Sequence, residues 1–422
     1  MSSLYAKPRF SVKALTAAIA LSTFTLPAFA EDVEVLHWWT SGGEAKALQI
    51  LKADLEKQGY GWQDLAIAGG GGDNAKTTLR ARVLSGEPPT AVQMLGFSIQ
   101  EWAEQGTLAN LNELAAKNDW DRLVPPDLQR FSKYDGKWVS VPVNIHRTNW
   151  IWANKKIFDD LDLAVPTTFD ELLAISDIIR KAGYIPLAHG GQAWQEATIF
   201  DSVVMSVGGP EFYQKAFVDL DLDALSSPTM VKVFDQMKAV RGLVDDNFSG
   251  RDWNIATAMV IRGDAAMQIM GDWAKGEFIN AGKLPNKDFL CFEYPGTSGT
   301  FIYNSDQFAM FEVEDARKKA QLAMAQSVMD ENFQEKFNIV KGSIPANLAV
   351  SPTNFDACGQ KSMADLKDAV KKGTMFGSIA HGHANQAAIQ GAIVDAVTDH
   401  FNSSASSETA AKTLVSLVQG AM

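Results

Sequence analysis

Cysteine is scarce in this chain: Cys291 and Cys358 are the only two among 422 residues. Two cysteines fit no zinc pattern, and neither has the motif context of a catalytic nucleophile. At most one disulfide can form. Long apolar runs are missing beyond residue 30, so no later stretch has the length a membrane helix needs. Basic residues are outnumbered, 38 Lys and Arg against 50 Asp and Glu, for a net charge of −12. That deficit argues against nucleic acid and anionic membrane surfaces as partners. Low-complexity tracts and internal repeats are also lacking. With 46% hydrophobic residues the composition is that of a globular chain.

Complete catalytic motifs are lacking too. Gly70 to Thr77 has phosphate-loop spacing, but Ala75 replaces the glycine before Lys76 that lets backbone wrap a phosphate. The glycines are read instead as a tight strand-to-helix turn. His381-Gly382-His383 lacks the i, i+4 histidine spacing and the glutamate of a zinc protease helix. No Gly-x-Ser-x-Gly elbow occurs. No metal or cofactor is therefore expected. Paired carboxylates such as Glu44 and Asp306 keep one enzymatic alternative open, a secreted glycoside-processing enzyme.

What is present begins with an export signal. Lys7, Arg9 and Lys13 precede an apolar run from Ala14 to Leu26, and Pro27-Ala28-Phe29-Ala30 offers a small-x-small cleavage site. Residues 1–30 read as a cleaved signal peptide. Removing those three bases takes the charge from −12 to −15. Roughly 390 residues remain, too many for one core, so two domains are expected.

The stretch Val33 to Glu44 organises the rest. It opens as a short strand, breaks at Ser41-Gly42-Gly43, and continues as a helix with Ala47, Leu48, Leu51 and Leu55 on one face. A strand feeding a helix through a glycine turn leaves its last residues at the carboxyl edge of a sheet, where α/β proteins bind ligands. That edge carries Trp38, Trp39 and Glu44, flat apolar faces beside a hydrogen-bond acceptor, which suits a sugar. Adjacent strand residues point to opposite faces, so in a regular strand only one of the tryptophans would be core. Leu65 to Ala68 and Thr90 to Met94 read as further strands, the second placing Gln93 near the tryptophan pair. Repeated strand–turn–helix units predict parallel sheet in an α/β fold. Val141 to Ile145 reads as the first crossing between domains. Beyond Thr168 the pattern is mostly helical, with strands at Ala265 to Met270, Leu290 to Tyr294 and Phe308 to Phe311.

An ordered set of motifs carries a resemblance. It comprises Leu36 to Glu44, Ala68 to Asp73, Trp150-Ile151-Trp152-Ala153-Asn154-Lys155, Met270-Gly271-Asp272-Trp273, Asn304-Ser305-Asp306 and Val340 to Pro345. In this order the chain resembles extracellular sugar-binding proteins of bacterial ABC importers, the family that includes maltose-binding protein. It is most similar to the family's periplasmic glucose-binding members. The likeness spans the mature chain; one departure is Trp152-Ala153-Asn154-Lys155, where many relatives have Tyr-Asn-Lys.

The resemblance implies a two-lobe periplasmic binding protein fold (type II), α/β in each lobe, joined by three hinge crossings. The N-terminal lobe would take 31–142 and 304–340, the C-terminal lobe 143–303 and 341–422. It further implies a periplasmic monomer that captures a monosaccharide, glucose first, and passes it to a membrane permease without catalysing a reaction. Trp38 and Trp39 would stack on the sugar, Glu44 and Gln93 hydrogen-bond it, and Trp253 and Trp273 close the box. Asp306, Lys341 and His381 would bind the remaining hydroxyls. Each of these last three has a plain structural alternative. Asp306 would cap a turn, Lys341 would be a solvated helix-end cation, and His383 rather than His381 would face the ligand. Both cysteines fall in the implied second lobe, and export exposes them to oxidation, so they are expected to pair.

Overall fold

The computed structural model describes residues 32–422; the expected signal peptide lies outside the described residues. The chain opens with strand β1 (Asp32–His37), helix α1 (Gly42–Lys57), β2 (Gly61–Ala66), α2 (Asp73–Leu84) and β3 (Ala91–Leu95). After several short helices come β4 (Ser140–Pro142), β5 (His146–Arg147), β6 (Trp150–Asn154) and β7 (Ile185–Leu187). The long helix α3 (Ala193–Tyr213) follows, then α4 (Trp253–Arg262), β8 (Ala265–Ile269), α5 (Ala274–Asn280) and β9 (Phe289–Glu293). Strands β10 (Phe301–Asn304) and β11 (Asp306–Met310) are separated by Ser305 alone. Helices α6 (Glu331–Lys341) and α7 (Ala357–Lys372) precede the last strand, β12 (Met375–Gly377), and two helices end the chain.

Three of the sheets place the site. The first has order β2-β1-β3-β11-β4, the second β9-β6-β8-β7, and the third, of three short strands, β12-β10-β5. Strand β1 pairs parallel with both β2 and β3, whereas β11 runs antiparallel to β3 and β4. The expected parallel sheet is thus mixed, because β11 returns from far along the chain. Between the first and third sheets the backbone crosses twice within a few residues, at Val143–Ile145 and at Ser305. Val143 donates to the Asp306 carbonyl at 3.0 Å, and Ile145 pairs with Ile344.

Apolar side chains gather into separate cores. Val33, Val35, Leu51, Leu55, Val141, Phe308, Phe337 and Ile344 belong to the first. Ile151, Val203, Phe234, Ile269, Val397 and Leu414 belong to the second. A smaller cluster holds Trp150, Trp152, Phe278 and Phe289 with Cys358. Cys358, in α7, is disulfide-bonded to Cys291 in β9, as the exported setting led us to expect.

Local boundaries differ from the sequence reading where polar chemistry overrides the hydrophobic pattern. Gly42 and Gly43 are the first residues of α1, not a turn, because Ser41 caps the helix. Its hydroxyl accepts the Glu44 N–H while the Glu44 carboxylate accepts the Ser41 N–H. The second strand runs Gly61–Ala66 rather than Leu65 to Ala68. It is held by pairing along all six residues of β1, including the polar ones the alternation rule passes over.

Candidate functional site

The carboxyl ends of β1 and β3 open onto a cavity of about 530 Å3. Trp38, Trp39, Glu44, Trp253, Trp273, Asp306, Lys341 and His381 all line it. Of the residues singled out in the sequence, Gln93 does not. It lies behind the wall, where its Oε1 accepts the Trp38 N–H at 3.0 Å and its Nε2 donates to Asp306 Oδ1 at 2.7 Å. Gln93 thereby sets the position of two lining residues.

The two adjacent tryptophans have different surroundings. Trp39 is 2% exposed and packs edge-on against Phe308, with Phe337 on another side. Trp38 is partly exposed and lies over the backbone of Gly72. The glycines before α2 are needed here: Gly71 and Gly72 have φ of +59° and +106°. A Cβ on Gly71 would sit 2.9 Å from the Trp194 ring, and one on Gly72 3.0 Å from the Trp38 ring. Bare backbone therefore meets an indole at each of these two adjacent glycines.

Trp194 escaped the sequence reading. It sits in the first turn of α3 after Gly190-Gly191, so the signal was an aromatic residue following a glycine pair, the same arrangement in reverse as Trp38-Trp39 before Gly42. It lines the cavity with Trp273, ring centres 6.2 Å apart, and His381, 6.1 Å away.

The charged groups are buried and paired. Lys341, the last residue of α6, donates to Glu44 at 3.1 Å and lies 5.6 Å from the centre of the Trp39 ring. An ammonium has three N–H groups, and Glu44 is Lys341's one hydrogen-bond partner among the described residues, which leaves two for a ligand. Asp306, in β11, accepts from Gln93, from Asn144 at 2.9 Å and from His146 at 3.0 Å. Burial alone would raise its pKa, but the His146 bond and charge, with Lys341 and Asn144, hold it well below the usual carboxylate range. Asp306 is therefore a strand residue in a charge network, not a turn cap.

His146 was also missed, hidden in a crossing segment without periodicity. It lines the cavity floor between two carboxylates, Asp306 on Nε2 and Asp272 on Nδ1. Burial is the largest influence and disfavours its imidazolium, but the charge of Asp272, which follows β8, and the hydrogen bonds to Asp272 and Asp306 together overcome burial and Lys341, and the pKa is raised. Its ring meets Trp273 edge-on at 5.2 Å. Of the histidine pair, His381 lines the cavity. His383 is turned away, accepting the Ser305 N–H at 3.2 Å.

Aromatic faces around buried, partly committed charges can hold a small polar molecule with apolar faces. Neither carboxylate is free to serve as a general acid, since Glu44 is tied to Lys341 and Ser41, and Asp306 is held ionised. The family profile described as bacterial extracellular solute-binding protein matches residues 39–324, more than half of the chain. A probable sugar-binding periplasmic protein of Brucella melitensis biotype 1 is 57% identical over 391 residues, 93% of each chain. A protein of the same description from Rhizobium meliloti is 54% identical over 413 residues, covering 98% of this chain and 99% of the relative. Among solved structures, the bacterial solute receptor AcbH, described as exclusive for β-D-galactopyranose, superposes with a TM-score of 0.78 at 16% identity. That match covers 93% of this chain and 99% of the other.

The chain belongs to the bacterial extracellular solute-binding protein family. Its fold is the two-lobed type II periplasmic binding protein fold, its place is the periplasm, and its work is binding rather than catalysis.

Proposed function

We propose that this protein captures a monosaccharide, glucose first and mannose or galactose next, between its lobes and delivers it to the membrane permease of an ABC importer. The lobes in this reading are 31–142 with 304–340, and 143–303 with 341–422, and the protein acts as a monomer. Sugar as the solute class is supported by the names of the Brucella and Rhizobium relatives. The observation that carries the reading is the convergence on one cavity of Trp38, Trp194, Trp253 and Trp273 with Glu44, Asp306, Lys341 and His381. A pyranose has apolar faces that indoles cover, and a rim of hydroxyls that must find partners once dehydrated. Hydrogen bonds to charged groups contribute about 1.5–3 kcal/mol each. Three or four of them contribute about 4.5–12 kcal/mol, which with stacking is on the order of the roughly 8 kcal/mol of a micromolar complex.

Calorimetric titration across hexoses, maltose and aryl glycosides tests this. Glucose should bind in the micromolar range or tighter, ahead of other hexoses, with no turnover of the glycosides. Tight maltose binding with no glucose binding would contradict the monosaccharide reading, and no heat from any sugar would contradict the sugar reading itself.

A further inference from the structure

His381 does not stand alone at the cavity wall. Its Nδ1 is 2.8 Å from the hydroxyl of Ser378, one turn back in the loop after β12. That hydroxyl in turn bonds Oδ2 of Asp201, a fully buried carboxylate in α3. Oδ1 of Asp201 accepts the Ile379 N–H at 2.9 Å and stands 3.0 Å from the Tyr213 hydroxyl. The serine lies between acid and imidazole, so this is not the order of a nucleophilic triad.

Proton counting fixes the direction of the chain. An ionised Asp201 only accepts, so the single hydroxyl hydrogen of Ser378 points to it. Ser378 then offers His381 only lone pairs. It accepts from Nδ1 and, at 3.3 Å, from the His381 backbone N–H. The imidazole must carry its hydrogen on Nδ1. Its Nε2 has no hydrogen-bond partner among the described residues, and the ring stands against Trp194 and Trp273 at the cavity.

We infer that Asp201 and Ser378 are positioning residues that lock His381 as the Nδ1–H tautomer, so that Nε2 meets the ligand as a hydrogen-bond acceptor. The ligand atom opposite it must therefore be a donor, a hydroxyl hydrogen on a sugar, and a group that only accepts is rejected there. Burial, with His383 and His146 nearby, lowers the His381 pKa to about 3, which keeps the ring neutral. Burial also pushes Asp201 up to about 7 against the bonds from Ser378, Ile379 and Tyr213, so the lock is complete above that pH. The affinity consequence rests on the sugar reading; the tautomer does not.

Nitrogen-15 NMR of the imidazoles in the sugar-free protein reads the tautomer directly. The measurement is made at a pH above the Asp201 pKa, with the His381 signal assigned by its loss in His381→Gln. The expected result is the Nδ1–H form. In Asp201→Asn the carboxamide can keep accepting from Ile379 while its NH2 donates to Ser378, which turns the serine hydrogen toward His381 and should move the imidazole proton to Nε2. A monosaccharide that binds the parent protein should then lose affinity about tenfold, the worth of one buried hydrogen bond. Replacing the facing hydroxyl by fluorine should weaken binding to the parent but cost Asp201→Asn far less. Ser378→Ala is the second variant and should leave a mixture of tautomers. An Nε2–H form in the parent, or an unchanged tautomer in both variants, would overturn the inference. If no sugar binds and the tautomer is Nδ1–H, the lock stands and the sugar reading falls.

Discussion

Trp38 rests on the Gly72 backbone with part of its ring open to the cavity, whereas Trp39 is wedged between Phe308 and Phe337. Their removal should therefore be felt differently. Trp38→Ala should weaken sugar binding at least about tenfold while changing unfolding little, since the ring is only partly buried. Trp39→Ala should cost about 3–5 kcal/mol of stability, the range for deleting a buried aromatic. Urea unfolding beside calorimetry separates the two; equal stability losses would contradict this assignment. Histidine chemistry gives a second expectation. His189, His381 and His383 are each lowered to about 3, chiefly by burial. Unfolded imidazoles titrate near about 6.5, so between those values the unfolded chain binds more protons than the native one. Stability should then fall as pH drops from about 6.5 toward about 3. Depressed Asp306 adds to that loss below the usual carboxylate range, while raised His146 and Asp201, the latter at about 7, act oppositely, their contributions fading as pH rises toward their folded values, so the three histidines must outweigh them. The urea midpoint should be lower at a pH near 5 than near 7. His189→Phe, at a position that does not line the cavity and lies against Phe248 and Phe401, should shrink that difference. An identical difference would rule out His189 as a contributor.

Elements are tied by long-range bonds that local periodicity does not announce. The Cys291–Cys358 disulfide fastens α7 to β9 across 67 residues. Thiol titration of the unfolded, unreduced protein should find no free thiol. The double variant Cys291→Ser, Cys358→Ser should lose about 2–4 kcal/mol of stability. Sugar affinity should stay within about twofold, since neither cysteine lines the cavity. A large affinity loss without a stability loss would show the bridge to be part of the site. The same contrast between local and distant signals decides what was legible in the sequence. Helix α1 was readable from Ala47, Leu48, Leu51 and Leu55, and the segments around β3, β8 and β9 from short apolar runs. Strands β5, β10 and β12 are two to four residues long and exist through pairing such as Tyr303 with Arg147 and with Gly377. No window of sequence that short carries a period. The site followed the same rule. Trp38, Trp39 and Glu44 were visible because they flank a strand end. His146 and the Asp201–Ser378 pair act through partners more than a hundred residues away, and only the fold brings them together.

At the scale of the whole molecule, the proposed capture of a sugar between two lobes would make binding and closure one equilibrium. A sugar touching both sides favours the closed form by its differential affinity. Trp194 lies against the Gly71 backbone and beside Trp273, and Trp38, Lys341 and Glu44 line the same cavity. Lys341 belongs to α6, whose Phe333 and Phe337 sit in the first core with α1, so its ion pair with Glu44 joins two helices of one core. Lys341→Ala removes that cation and leaves the buried Glu44 unpaired. It should weaken sugar binding by at least about tenfold, and so leave less of the protein closed at a given sugar concentration. Small-angle X-ray scattering of the protein with and without saturating glucose tests the central claim most directly. The account predicts a smaller radius of gyration with the sugar, in step with a change in tryptophan fluorescence, and a weaker response in Lys341→Ala. Glucose bound without compaction would contradict it.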